Sequence, residues 1–350
     1  MTTAAASDTA SVQDEIRLHA MLRFGVGVTA AFVLCEFLGW LPSFLAPVLT
    51  AILLVNVPVR LPLKMALGLV LTMTVAALFA AGLASLLRGT PVVLFGLIAV
   101  CVFVAFHAMA EGRARVPALL LLICLSVVPV MVMIAPALAE ILPMALIRGT
   151  ALAVVVVIGV HMLWPRVRPP VPPAAPAPGA ATPLSLALLS CAVVLPLMLF
   201  YLLLGITDAL PVLVGTVMLV ANFDPRRSQM QALAMIIANF AGGLLGLLLH
   251  VVLTTMPNLL FLALLLFLVL LGLARRIVAG GPVAGVVLIA CNTMLIILSI
   301  GIASGPPSLS LWLTRVFQFV LAGAFAVGMM NLVWHRATPD RPGPAKPAIR

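Results

Sequence analysis

Long apolar runs, each bounded by proline or by charged residues, follow one another along most of the chain and decide what it can fold into. A run of about 20 apolar residues is the length that a helix needs to cross the hydrocarbon core of a bilayer. Inside lipid, every backbone N–H and C=O group must be satisfied within the protein, which favours helices for such runs. The sequence therefore predicts an all-α polytopic membrane protein.

The runs predict about twelve transmembrane helices in two sets of six. The first set lies near residues 22–40, 43–57, 62–86, 91–110, 116–134 and 142–164. The second set lies near residues 184–205, 209–222, 229–255, 258–274, 282–303 and 309–334. These spans leave no room for a soluble catalytic domain, and the sequence carries neither a Gly-rich phosphate-binding loop nor a zinc signature. We therefore expect no enzyme activity, no cofactor and no metal.

A stretch rich in Pro and Ala separates the two sets and predicts an extended cytoplasmic linker. The predicted organisation is an N-terminal tail with an amphipathic approach at 1–21, a first six-helix repeat at 22–164, the linker at 165–183, a second six-helix repeat at 184–336, and a C-terminal tail at 337–350.

The positive charges predict the orientation of the spans. Sixteen of the nineteen Lys and Arg residues fall on one side of this arrangement. Short cytoplasmic loops collect Lys and Arg, so we expect both termini to be cytoplasmic. Arg88 is predicted to lie on the outer face, and Arg148 and Arg315 lie within spans.

The two halves resemble each other at a common offset. Residues 47–49 and 211–213 have the same sequence, Pro-Val-Leu, and Arg148 corresponds to Arg315 at an offset of 167. Units with an even number of spans insert the same way up, which predicts parallel repeats with a pseudo-two-fold axis along the membrane normal. A pathway on that axis would be lined by both halves.

Arg148 and Arg315 are the sharpest candidates for a binding site. Each is expected about six residues inside its span, roughly 9 Å deep at 1.5 Å per residue. A charge at that depth is costly unless it is paired or reaches water. Either each side chain snorkels outward to the interface, or the two cations face one cavity and bind a carboxylate. The second interpretation predicts a small organic anion as substrate.

Four other polar residues are weaker candidates. Glu36, near the outer end of the first span, either forms an ion pair with Arg148 or carries the coupling proton. His107, near an inner span end, is either a solvated imidazole or part of a proton relay. Asn56 and Asn222 are equivalent positions in the two halves, and each either caps a helix end or offers a hydrogen bond to a ligand.

Small and amide residues in the second half predict helix packing. Gly242 and Gly246 form a small-xxx-small pair that lets another helix approach closely. Asn239 and Asn292 are expected to tie helices together through side-chain hydrogen bonds.

Several positions in both halves carry a resemblance to a known family. They are Arg23 before a Gly- and Ala-rich first span, residues 47–49 with Asn56, Pro58 and Arg60, and residues 225–227 leading to Gly242, Gly243 and Gly246. Over residues 20–336 the chain resembles the fusaric acid resistance (FUSC-like) family of aromatic acid exporters. It is most similar to the compact members of the domain-of-unknown-function type, because it lacks the sizeable cytoplasmic domains of the larger exporters.

The resemblance implies an inner-membrane exporter of aromatic carboxylic acids or related toxic compounds, working beside a periplasmic membrane-fusion adaptor. We expect coupling to the proton gradient and no nucleic-acid partner. Two alternatives stay open. A passive anion channel would use the same cations without depending on a pH difference, and a membrane-embedded assembly partner of an efflux complex would show no flux.

Overall fold

A computed structural model of the chain describes residues 2–56, 61–112, 115–134, 141–166, 182–204, 213, 217, 228–304 and 328. Within these ranges the regular structure consists of ten helices, without strands. The helices are α1 Thr2–Phe37, α2 Leu45–Asn56, α3 Leu63–Leu86, α4 Pro91–Ala110, α5 Arg115–Ile134, α6 Ile141–Leu163, α7 Pro183–Leu204, α8 Ser228–Thr255, α9 Leu259–Ala279 and α10 Pro282–Ser304.

The lengths and composition of these helices make this a multi-pass membrane protein. In the described ranges, nine helices are long and apolar enough to cross a bilayer, whereas α2 has only 12 residues. The predicted spans at 209–222 and 309–334 lie outside the described residues, apart from 213, 217 and 328. The other predicted spans each correspond to one helix, with bounds that differ by a few residues except at the start of α1.

Helix α1 is much longer than a single span requires. It has 36 residues, which at 1.5 Å per residue gives about 54 Å against a hydrocarbon thickness of about 30 Å. The part of α1 that is long and apolar enough to cross a bilayer is Gln13–Phe37. The residues predicted as a tail with an amphipathic approach therefore belong largely to the same continuous helix.

Proline, asparagine and glycine fix several helix ends. Pro62 precedes α3 in an extended conformation, and Pro91 is the first residue of α4, where a missing N–H costs no helical hydrogen bond. Asn258 caps α9 by accepting a hydrogen bond from the Leu260 N–H at 2.9 Å. Gly280 ends α9 with φ of 79°, a conformation that favours glycine. The turn into α10 can therefore be short.

The helices of the two predicted halves interlock. Helix α1 packs against α9, as well as against α2 and α6, and α7 packs against α4 and α5. Two hydrophobic clusters result. One joins α1 to α8, α9 and α10 through residues such as Phe32, Leu266 and Leu298, and the other joins α3, α4 and α5 to α7 through residues such as Phe106 and Tyr201.

Large apolar side chains also cover the outside of the bundle. Leu71 on α3, Val100 on α4, Leu248 on α8 and Leu268 on α9 are each exposed. A soluble monomer seldom exposes contiguous apolar surface on this scale, whereas acyl chains solvate it without penalty. These faces are therefore the lipid-facing surface.

Helices α8 and α10 pack backbone to backbone, as the glycine pattern predicts. A Cβ atom at Gly246 would lie 2.7 Å from the Met294 carbonyl oxygen, and one at Gly242 would lie closer still to the Ala290 carbonyl. Thr293 Oγ1 donates to Asn239 Oδ1 at 2.6 Å across the same contact. The predicted close approach and the interhelical role of Asn239 are confirmed.

We predict that Gly242→Ala destabilises the protein, because its new methyl group would overlap the α10 backbone. Overpacking costs about 1–3 kcal/mol, which should lower the melting temperature in detergent by several degrees. Gly272→Ala is the matched control, since a Cβ atom there has no heavy atom within 4 Å. Equal melting temperatures for the two variants would contradict the close contact.

Candidate functional site

The turn between α1 and α2 is the place where the candidate residues meet. We call residues 38–44 the α1–α2 turn. Three helices hold this turn with polar side chains: α1 through Glu36, α6 through Arg148 and α10 through Ser299. The turn therefore joins helices from both predicted halves.

Arg148 reaches the α1–α2 turn from the second turn of α6. Its Nη2 donates a hydrogen bond to the Leu41 carbonyl, and its Cζ lies 5.2 Å from the centroid of the Trp40 ring. A guanidinium over an aromatic face is attracted by the ring quadrupole. The side chain is partly exposed, so the protein fixes its orientation without enclosing it.

Glu36 reaches the same turn from the last turn of α1. Its Oε1 accepts a hydrogen bond from Ser43 Oγ at 2.5 Å, and Ser43 Oγ lies 2.7 Å from Ser299 Oγ on α10. Ser43 is 2% exposed and Ser299 is 4% exposed. We call these three side chains the serine chain. It links the end of α1 to a helix more than 250 residues later in the sequence.

The interpretation of Glu36 as the ion-pair partner of Arg148 is wrong. No salt bridge joins these two described side chains, and each makes its own contact with the α1–α2 turn. The Arg148 guanidinium and the Glu36 carboxylate therefore lie at the same turn without forming an ion pair.

The remaining candidates lie elsewhere or outside the described residues. Asn56 ends α2, and its Nδ2 donates to the Ile52 carbonyl at 2.9 Å within the same helix. At 1.5 Å per residue, this helix end is roughly 16 Å from the start of α2 beside the turn. Arg315 and Asn222 are outside the described residues.

His107 lies in the last turn of α4, which does not pack on the helices that hold the turn. Its ring stacks on Phe103 with centroids 6.1 Å apart, and its Nε2 lies 3.5 Å from Glu111 Oε1. Its Nδ1 is buried without a hydrogen-bond partner in the described part of the chain. In the same part, no group of three or more His, Cys, Asp or Glu residues could hold a metal ion.

Arg23 has a structural role that the sequence does not predict. It is 6% exposed, and its Nη1 donates to the Trp164 carbonyl at 2.9 Å and to the Arg166 carbonyl at 2.8 Å, just beyond the end of α6. Arg166 in turn forms an ion pair with Glu15. In the sequence, Arg23 looks like one more cation of the inner face. The one available signal was its position inside an apolar run.

Arg23 and Arg148 hold the same pair of helices at opposite ends. Arg23 on α1 binds carbonyls that follow α6, and Arg148 on α6 binds a carbonyl that follows α1. The two helices are therefore antiparallel and are clamped at both ends.

The comparisons with known proteins cover the first half of the chain. Residues 20–160 match the model of a family described as a protein of unknown function (DUF2955). The match begins within α1 and ends three residues before the end of α6. No curated protein and no solved structure matches the chain.

We predict that Arg23→Gln lowers the melting temperature by several degrees, because hydrogen bonds to charged groups contribute about 1.5–3 kcal/mol. Arg17→Gln is the control, since Arg17 lies on the same helix but is exposed, with only a 3.8 Å ion pair to Asp14. Thermal unfolding of detergent-purified protein, followed by size-exclusion chromatography, measures both variants. If Arg17→Gln lowers the melting temperature as much as Arg23→Gln does, the hydrogen bonds of Arg23 make no specific contribution to stability.

Proposed function

We propose that this protein is an inner-membrane transporter that exports small organic acids, and that proton uptake drives the export. It consists of two parallel six-helix repeats at 22–164 and 184–336, with the linker at 165–183 and both termini in the cytoplasm. The substrate class that fits best is aromatic carboxylic acids, as in the FUSC-like exporters that the sequence resembles. A periplasmic membrane-fusion adaptor is the partner that this resemblance implies.

The pattern of helix packing supports the repeat. If the halves are equivalent, α1 corresponds to α7, α3 to α8, α4 to α9 and α5 to α10. The contact of α1 with α9 then has its counterpart in the contact of α7 with α4. Likewise, α3 with α5 corresponds to α8 with α10, and α4 with α5 corresponds to α9 with α10. These three pairs of contacts are what a pseudo-two-fold axis between the halves would produce.

The family match supports the proposed boundary between the repeats. It covers residues 20–160, close to the first proposed repeat at 22–164. A family model that ends there is what we expect if six helices form the ancestral unit.

The observation that carries the proposed function is the separation of charges at the α1–α2 turn. Arg148 and Glu36 both contact this turn, yet they do not pair with each other. Arg148 forms no ion pair with a carboxylate among the described residues, and it therefore retains its electrostatic attraction for a substrate anion. A nearby carboxylate that accepts a hydroxyl hydrogen bond can take up and release a proton. The α1–α2 turn then has an anion-binding residue, Arg148, and a proton-accepting residue, Glu36, in contact with it.

We predict that the double variant Arg148→Gln/Arg315→Gln lowers the rate of benzoate efflux roughly tenfold or more, because losing a hydrogen bond to a charged group costs about 1.5–3 kcal/mol. The matched control is Arg88→Gln, an exposed arginine in the loop after α3. Arg148→Lys keeps the charge and should retain part of the activity. Efflux is measured from cells that make equal amounts of inserted protein, and wild-type efflux by the double variant would refute the substrate role.

We also predict that Glu36→Gln uncouples transport from the proton gradient. A glutamine side chain cannot exchange a proton, so benzoate flux through reconstituted Glu36→Gln should be the same with and without a pH difference. Wild-type protein should transport faster when the side opposite the termini is acidic. Wild-type flux without any dependence on the pH difference would instead indicate a passive channel, and absence of flux would indicate an assembly partner.

A further inference from the structure

We propose that Ser43 and Ser299 are positioning residues that transmit the protonation state of Glu36 to the contact between the α1–α2 turn and α10. This inference rests on the proposed function only in taking Glu36 as the proton site. It deepens that function by naming the contact that proton uptake changes.

The hydrogen-bond donors in the serine chain have only one arrangement when Glu36 is ionised. An ionised carboxylate only accepts hydrogen bonds, and a serine hydroxyl has one proton to donate. Ser43 lies 2.5 Å from Glu36 Oε1 and therefore donates to it. Ser299, at 2.7 Å from the Ser43 oxygen, must then donate to Ser43. Both serine hydroxyls therefore point their protons toward the carboxylate.

Once Glu36 takes up a proton, the hydroxyl protons of Ser43 and Ser299 no longer have to point toward it. A protonated carboxyl can donate to Ser43, and Ser43 can then donate to Ser299, which reverses the chain. Hydrogen bonds to an ionised group are roughly twice as strong as bonds between neutral groups. The bond that changes directly is the one from Ser43 to Glu36. Because hydrogen bonds in a chain polarise one another, the bond from Ser299 to Ser43, which joins the α1–α2 turn to α10, also weakens when Glu36 becomes neutral.

Burial makes this contact sensitive to the change. Both serine side chains are almost completely buried, so water cannot readily replace a hydrogen bond that is lost there. The contact also joins the first half of the chain to the second, because Ser43 precedes α2 and Ser299 lies on α10. A change in its strength acts between the two halves.

Among the described residues, the charged or titratable groups near Glu36 and Ser299 are Arg148, Cys35, Cys291 and His250. His250 lies on α8, which packs against α10, and its ring is 2.9 Å from where a Cβ atom at Gly301 would lie, two residues after Ser299. Arg148 on α6 contacts the same turn, and Cys35 precedes Glu36 on α1. Helix α2 carries no titratable group, and α10 carries only Cys291, eight residues before Ser299. The cations of α9, Arg275 and Arg276, lie near the hairpin into α10, at the end of α9 remote from the Ser299 end of α10. Arg148 is therefore the only other permanent charge at this turn among the described residues.

The test is a distance measurement that needs no substrate. Spin labels are placed at Leu41→Cys and Ala303→Cys, two exposed positions on either side of the contact. Cys101, which is only partly buried, is replaced by alanine, because the other native cysteines are buried. Pulsed electron resonance then measures the distance in lipid nanodiscs from about pH 8 down to about pH 4.

We expect one narrow distance distribution at high pH that shifts or broadens by a few ångström at low pH. Glu36→Gln, Ser43→Ala and Ser299→Ala should each show the low-pH distribution at every pH. Ser299→Thr keeps a hydroxyl and should keep the pH response if it inserts normally. Ser190→Ala is the matched control, because Ser190 is also buried but donates only within its own helix, to the Leu186 carbonyl.

A wild-type distance that does not change with pH would overturn the inference, as would an unaltered pH response in both serine-to-alanine variants. Benzoate flux through the same proteins separates this inference from the proposed function. A pH-dependent distance without flux supports the serine chain and counts against the exporter. Proton-dependent flux with a constant distance supports the exporter and overturns the serine chain.

Discussion

The reciprocal arginine clamp between α1 and α6 is the interaction on which the rest of the architecture depends. Carbonyls in the segment that follows a helix have no partner within that helix, so a guanidinium from a neighbouring helix can bind them. Arg23 binds the carbonyls of Trp164 and Arg166, and Arg148 binds the carbonyl of Leu41. The two helices are thereby fixed side by side. Helix α1 is then free to present another face to α9, and α6 to α3.

This clamp also defines what Arg148 can contribute to a binding site. A guanidinium has five N–H donors, and the contact with Leu41 uses the Nη2 end of the group. Trp40 packs against the group and limits its orientations. An anion that binds there meets a cation whose conformational entropy has already been reduced, which is the general advantage of preorganisation. The same residue can therefore stabilise the turn and attract a substrate.

Much of the fold follows from sequence, because membrane thickness sets helix length and proline marks the starts. The predicted span 91–110 is identical to α4, which begins at Pro91. The predicted span 258–274 stops before Arg275 and Arg276, because charged residues are typical of the end of a span. Helix α9 continues to Ala279, since long cationic side chains can reach the interface from within a helix.

The site was harder to predict than the fold. The positions of Arg148 and Glu36 near a helix end were expected, but their partners were not. Ser43 and Ser299 carry no local signal, since their contact depends on how α10 packs against the start of α2. The charge pattern assigns Arg23 to the inner face but does not predict that its side chain is buried, because such patterns indicate the side of the membrane and not burial.

The glycine contact between α8 and α10 determines how a local change at Ser299 can spread. The two backbones nearly touch at Gly242 and Gly246, so neither helix can slide along the other without a steric clash. A rotation or tilt of one helix is therefore expected to move both helices together as a rigid body. The opposite side of α8 exposes Leu244 and Leu248 to the surrounding acyl chains, so any such movement also displaces lipid. The free energy of such a movement therefore depends on the thickness and lateral pressure of the bilayer.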